Sequence, residues 1–143
     1  MSSGITSKKN QFPAVIRSIT QGRAYCEVVM EINSIKIKGM VSEEYIKELG
    51  IRPGMEVVAS FKASEVMLGC GYFRISAENQ FDGCVESIAR GSVNSILAIG
   101  SPIGTIYSTV STESILYLGL RQGDEVTAII NSNAVFIEAC PSA

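Results

Sequence analysis

The chain has 143 residues, 46% of them hydrophobic, with 14 acidic and 12 basic side chains, a net charge of −2, and neither histidine nor tryptophan. That composition supports a real core, yet no apolar run reaches the roughly 20 residues of a membrane span. It excludes imidazole-based catalysis and imidazole metal ligands, and it lacks the basic stripe with stacking rings that a nucleic-acid surface uses.

The opening MSSGITSKKN has two lysines but no apolar stretch after them, so it does not read as a secretory signal and a cytoplasmic location is expected. Phe12 to Ile19 predicts a strand, with Pro13 near its start where a missing N–H costs least. After a turn at Gly22, the apolar positions Ala24, Cys26, Val28, Met30 and Ile32 alternate with polar ones, the pattern of a half-buried strand. Ile35 to Val41 alternates again, with Lys36 and Lys38 outward, so these two strands form a hairpin. Ser42 then reads as an N-cap, Glu43 and Glu44 as an acidic first turn, and Gly50 as the stop of one short helix. Past the turn at Pro53-Gly54, Glu56 to Lys62 and Glu65 to Leu68 are strand-like.

The same order returns at an offset of 69 residues, from Ser7 to Ser76. Asn10, Gln11 and Phe12 reappear as Asn79, Gln80 and Phe81, and Val41-Ser42, Glu44, Leu49-Gly50 and Gly54 as Val110-Ser111, Glu113, Leu118-Gly119 and Gly123. The second unit is expected to have strands near Phe81–Ile88, Val93–Ile99, Thr105–Val110, Val126–Ile130 and Ala134–Ile137, with a helix over Ser111–Leu118. Short strands with one small helix per repeat predict an all-β fold of two tandem OB-like β-barrels, spanning residues 5–70 and 74–139. Units of about 70 residues are marginal alone, so interlocking or oligomerisation is expected. The four cysteines fall at unmatched repeat positions, forming neither a disulfide framework nor a metal spacing, and read as small apolar side chains.

Two polar knots are the candidate chemistry. Lys62-Ala63-Ser64 offers a cation, a hydroxyl and accessible backbone N–H groups, a set suited to a small oxyanion or simply to a solvated strand edge. Ser7-Lys8-Lys9-Asn10 and Ser76-Ala77-Glu78-Asn79 keep Ser and Asn at both copies, for an anion or for a turn cap before each first strand. No Gly-Lys-Ser/Thr phosphate loop or nucleophile–base pair is present, so a non-catalytic role is expected.

These segments, with Gly91-Ser92-Val93-Asn94 and Leu49-Gly50-Ile51-Arg52-Pro53-Gly54, resemble the tandem molbindins, which carry two Mop (TOBE-type) molybdate-binding domains. In that family each domain opens with Ser-Ala-Arg-Asn, turns through Gly-Ala-Val-Asn and closes with Lys-Ala-Ser before a last hydrophobic strand. The resemblance covers essentially residues 5 to 138. It implies a homotrimer of paired OB-like barrels that holds molybdate or tungstate where domains meet, for storage or homeostasis, while the composition leads us to expect no nucleic-acid or membrane partner. One kind of pocket would draw on Ser7, Lys9, Asn10, Lys62, Ala63 and Ser64, or on Ser76, Ala77, Asn79 and Ser132. The other would use the turn Gly91, Ser92, Val93 and Asn94. Neither copy is complete, because Tyr25, Glu78 and Asn131-Ser132-Asn133 replace the family's Asn, Arg and Lys-Ala-Ser. Pockets built between repeats would pair Lys62 with Glu78, whereas pockets built within a repeat would join Lys9 to Lys62 and leave Glu78 with Asn131. Some sites are accordingly expected to be weak, or lost to a regulatory or interaction role.

Overall fold

The computed structural model describes residues 8–140, so Ser7, the first of the expected anion ligands, lies outside the described residues. The first half runs β1 (Lys9–Gln21), β2 (Tyr25–Ile32), β3 (Ile35–Ser42), α1 (Glu43–Leu49), β4 (Glu56–Lys62) and β5 (Met67–Gly69). The second runs β6 (Asn79–Ala89), β7 (Asn94–Ser101), β8 (Gly104–Ser111), α2 (Thr112–Leu118), β9 (Glu125–Ile130) and β10 (Phe136–Ala139).

Local chemistry accounts for these elements. Alternation places Cys26, Val28, Met30 and Ile32 of β2 on one buried face. The β2–β3 hairpin turns through Asn33 and Ser34, both at positive φ (51° and 66°), as a two-residue turn between right-twisted strands requires. Ser42 Oγ accepts the Tyr45 N–H at 3.1 Å to cap α1, and Gly50 ends it at φ 63°. Ser111 and Gly119 do the same for α2, with the Ser114 N–H at 3.0 Å from Ser111 Oγ and a φ of 66° at Gly119. Helices of seven residues do not persist alone in water, so both depend on the sheets beneath them.

The strand order in one sheet is β10-β4-β1-β2-β3 and in the other β5-β9-β6-β7-β8. Each sheet therefore takes its fifth strand from the other half. Ile137 of β10 pairs with Ala59 of β4, and Leu68 of β5 with Ala128 of β9. This exchange is the form that the expected interlocking takes. In the first sheet the edge strands β10 and β3 approach each other, which curls the sheet toward a barrel. Val66, Val135 and Ile137, all within 1% of complete burial, carry the crossing segments into a hydrophobic cluster that also holds Phe61, Met30, Leu97 and Ile130.

The cysteines need a correction, because only Cys26 is buried, while Cys70, Cys84 and Cys140 are exposed free thiols. Cys84 sits on the outward face of β6, beside buried Val85, and Cys70 and Cys140 follow the ends of β5 and β10.

Candidate functional site

Both opening segments fasten one half of the molecule to the other. Asn10, 3% exposed, donates from Nδ2 to the Tyr107 carbonyl at 2.9 Å and accepts the Tyr107 N–H on Oδ1 at 2.8 Å. Asn79, equally buried, makes the same pair with Lys38 at 2.9 and 2.8 Å. An asparagine side chain carries one amide, so each adds one backbone-like rung to the third strand of the opposite half. Neither caps a turn, and the carbonyl and one N–H of each amide are already engaged. Lys8 Nζ lies 4.0 Å from the centre of the Tyr107 ring, over the same junction.

Two lysines lie beside the Asn10 clamp. The β1–β4 ladder sets Lys9 opposite Lys62, and both line a cleft of about 790 Å³ with Tyr25, Tyr45, Phe136 and Glu138. The opening and closing segments of the first half thus converge, and β10 of the second half completes the wall. Tyr45 ties α1 to that wall through a hydrogen bond from its hydroxyl to the Ile137 carbonyl at 2.5 Å. Lys62 has no ion pair among the described residues.

Lys9 is engaged by an acid that sequence reasoning missed. Its Nζ lies 2.8 Å from Glu138 Oε2, while Gln11 Nε2 donates to Oε1 at 2.9 Å and Ser60 Oγ to Oε2 at 3.1 Å. The Lys9 hydrogen bond, seconded by Gln11 and Ser60 and opposed by burial, holds the Glu138 carboxyl below the ordinary glutamate range. No sequence signal marks Glu138, because its repeat counterpart is Gly69 and its partners depend on the strand exchange.

The Lys-Ala-Ser segment leaves the strand as a 3-10 turn over Ala63–Glu65 and lies against β8 of the other half. Ala63 is fully buried and its N–H donates to the Lys8 carbonyl at 2.9 Å, whereas Ser64 is exposed. In the second half Ser76 is exposed, Ala77 is buried, and Ser132 sits half-buried in the turn Ser132–Ala134. Glu78 meets neither Lys62 nor a counter-ion from the closing turn; its Oε1 lies 3.6 Å from Lys38 Nζ, the residue to which Asn79 is clamped.

Gly91, Ser92, Val93 and Asn94 form an exposed turn that contributes nothing to the cleft. Thr112 fixes it, donating from Oγ1 to the Gly91 carbonyl at 2.7 Å and from its N–H to the Val93 carbonyl at 2.8 Å. A Cβ at Gly91 would stand 2.3 Å from the Asn94 carbonyl oxygen, and one at Gly22 would stand 2.6 Å from that of Tyr25, so both turns require glycine.

The TOBE domain profile matches residues 6–68 and again 75–137. The chain belongs to the TOBE domain family. This tandem TOBE chain is 32% identical over 137 residues to the molybdenum-pterin-binding protein MopA of Rhodobacter capsulatus. It is 31% identical over 136 residues to the molybdenum transport protein ModE of Herbaspirillum seropedicae. Each match covers 92% of this chain and 51% of the relative, so the chain spans about half the length of these curated proteins. Among solved structures, the cytoplasmic molybdate-binding protein ModG with molybdate bound aligns at a TM-score of 0.88 and 29% identity. That alignment covers 98% of this chain and 100% of the ModG chain, which makes the fold of the TOBE pair the tandem OB-like fold of ModG.

Proposed function

We propose that the chain binds molybdate or tungstate without transforming it, as a cytoplasmic store or buffer, and that it works as a homotrimer with anions held at domain and subunit interfaces. One observation carries this reading: Lys9 and Lys62 face each other across adjacent strands at the mouth of a cleft, in a fold that aligns end to end with a molybdate-bound structure. A tetrahedral dianion accepts many hydrogen bonds, and the two ammonium groups supply charge while the exposed Ser64 hydroxyl supplies a directed donor. The family resemblance assigns Ser7 to the same group. Ser76, Ala77 and Ser132 form its poorer copy, and Gly91, Ser92, Val93 and Asn94 the second kind of pocket. Asn10 and Asn79 serve by holding these segments in place. Fixed donors bind such an anion without redox change.

Isothermal titration with molybdate, tungstate and sulfate tests the reading. Tight binding of the first two, reduced in Lys62→Ala, is expected; no heat and no rise in melting temperature with either would end it.

A second reading, an interaction or regulatory module with diminished anion affinity, is favoured by the Glu78–Lys38 pair. It puts a carboxylate where the first half has Lys9, opposing a dianion. A stoichiometry below the number of motif copies supports it.

A further inference from the structure

Glu138 is the one acid among the residues lining the cleft, and nothing in the anion-binding reading uses it. Its carboxylate receives an ammonium at 2.8 Å, an amide N–H at 2.9 Å and a hydroxyl at 3.1 Å. That is the donor chemistry a small oxyanion seeks. We propose that Glu138 is a resident counter-anion that competes for Lys9, so that an oxyanion binding at the Lys9–Lys62 pair must displace it, and that this residue sets the affinity and selectivity of that site. The inference rests on the oxyanion reading and deepens it.

The geometry supports displacement rather than coexistence. Lys9 and Gln11 of β1 and Ser60 of β4 approach the carboxylate directly, and Lys62 of β4 and the Tyr25 and Tyr45 hydroxyl-bearing rings line the same cleft. An oxyanion drawn to both lysines would lie within a few ångströms of a like charge, which is unfavourable at any effective dielectric of a protein surface. The Glu138 side chain is 34% exposed, so it can swing into solvent and release Lys9. The cost of that release falls on every ligand equally, while the gain grows with ligand charge. Dianions are therefore favoured over monoanions. The device belongs to one half, since the position equivalent to Glu138 is Gly69, against which the Phe73 ring packs.

The test is a double-mutant cycle read by isothermal titration of sodium tungstate at neutral pH into wild type, Glu138→Gln, Lys9→Ala and the double variant, with ligand-free melting curves for each. Glu138→Gln is expected to bind tungstate about tenfold more tightly or better, with its ligand-free melting temperature little changed. In the Lys9→Ala background the same substitution should gain clearly less, because only the screened like-charge term remains once there is no ammonium to release. Should Glu138→Gln fold poorly, Glu138→Ser takes its place with the same expectation. Equal or weaker binding by Glu138→Gln overturns the counter-anion role, as does a gain fully as large without Lys9, while the oxyanion reading stands. No tungstate binding by any of the four proteins overturns both.

Discussion

Replacing Asn10 with alanine tests whether the opening segment is a clamp between halves. The substitution removes two hydrogen bonds, at 2.9 and 2.8 Å, from a side chain that is 3% exposed. It leaves the Tyr107 N–H and carbonyl without those partners. Each unsatisfied buried group costs about 1–3 kcal/mol, and half-buried Tyr107 can recover part of this from water, so a loss of about 2–4 kcal/mol is expected. Against a total stability of roughly 5–15 kcal/mol this is large, and for a chain of this size it lowers the melting temperature by roughly 6–12 °C. Urea unfolding with linear extrapolation measures it, with calorimetry as the second probe. Asn79→Ala should cost a similar amount, and the double variant their sum, because Tyr107 and Lys38 are separate partners. A loss under about 0.5 kcal/mol for Asn10→Ala, the range of ordinary surface substitutions, would refute the clamp. Weakened anion binding at unchanged stability would instead make Asn10 a ligand.

The strand exchange predicts that the isolated first half, residues 1–72, does not form a stable monomer, since β5 has its ladder on β9 and β4 has its outer neighbour in β10. Light scattering on the purified fragment should show a strand-exchanged dimer or larger species; a folded monomer would contradict the reasoning. Gly91→Ala should destabilise the protein by about 1–3 kcal/mol, because the added Cβ meets backbone rather than a movable side chain. Thermal unfolding reads this directly. Glu138, whose folded-state pKa is lowered, contributes stability that is present above the ordinary glutamate pKa and lost as pH falls through the folded value. Wild type should thus lose a little stability relative to Glu138→Gln, under about 1 kcal/mol because the pair is partly exposed, as pH falls below the ordinary glutamate range. Parallel urea titrations across that range detect it.

Much of this protein is legible one residue at a time. The alternation of β2, the Ser42 and Ser111 caps, the Gly50 and Gly119 stops and the 69-residue offset all express interactions between near neighbours, so the elements and their order follow from the chain itself. The sequence left open whether Lys9 stands near Lys62, and the β1–β4 register sets the two opposite each other within the first repeat. What tertiary structure alone decided is which half receives each closing strand. The two repeats offer nearly the same acceptor edge, on β4 and on β9, so local pattern cannot choose between a strand kept at home and one exchanged. From that choice comes the Glu138–Lys9 contact; the Glu78–Lys38 contact and the paired asparagine clamps likewise join residues more than 35 positions apart, through surfaces that exist only once both halves have closed.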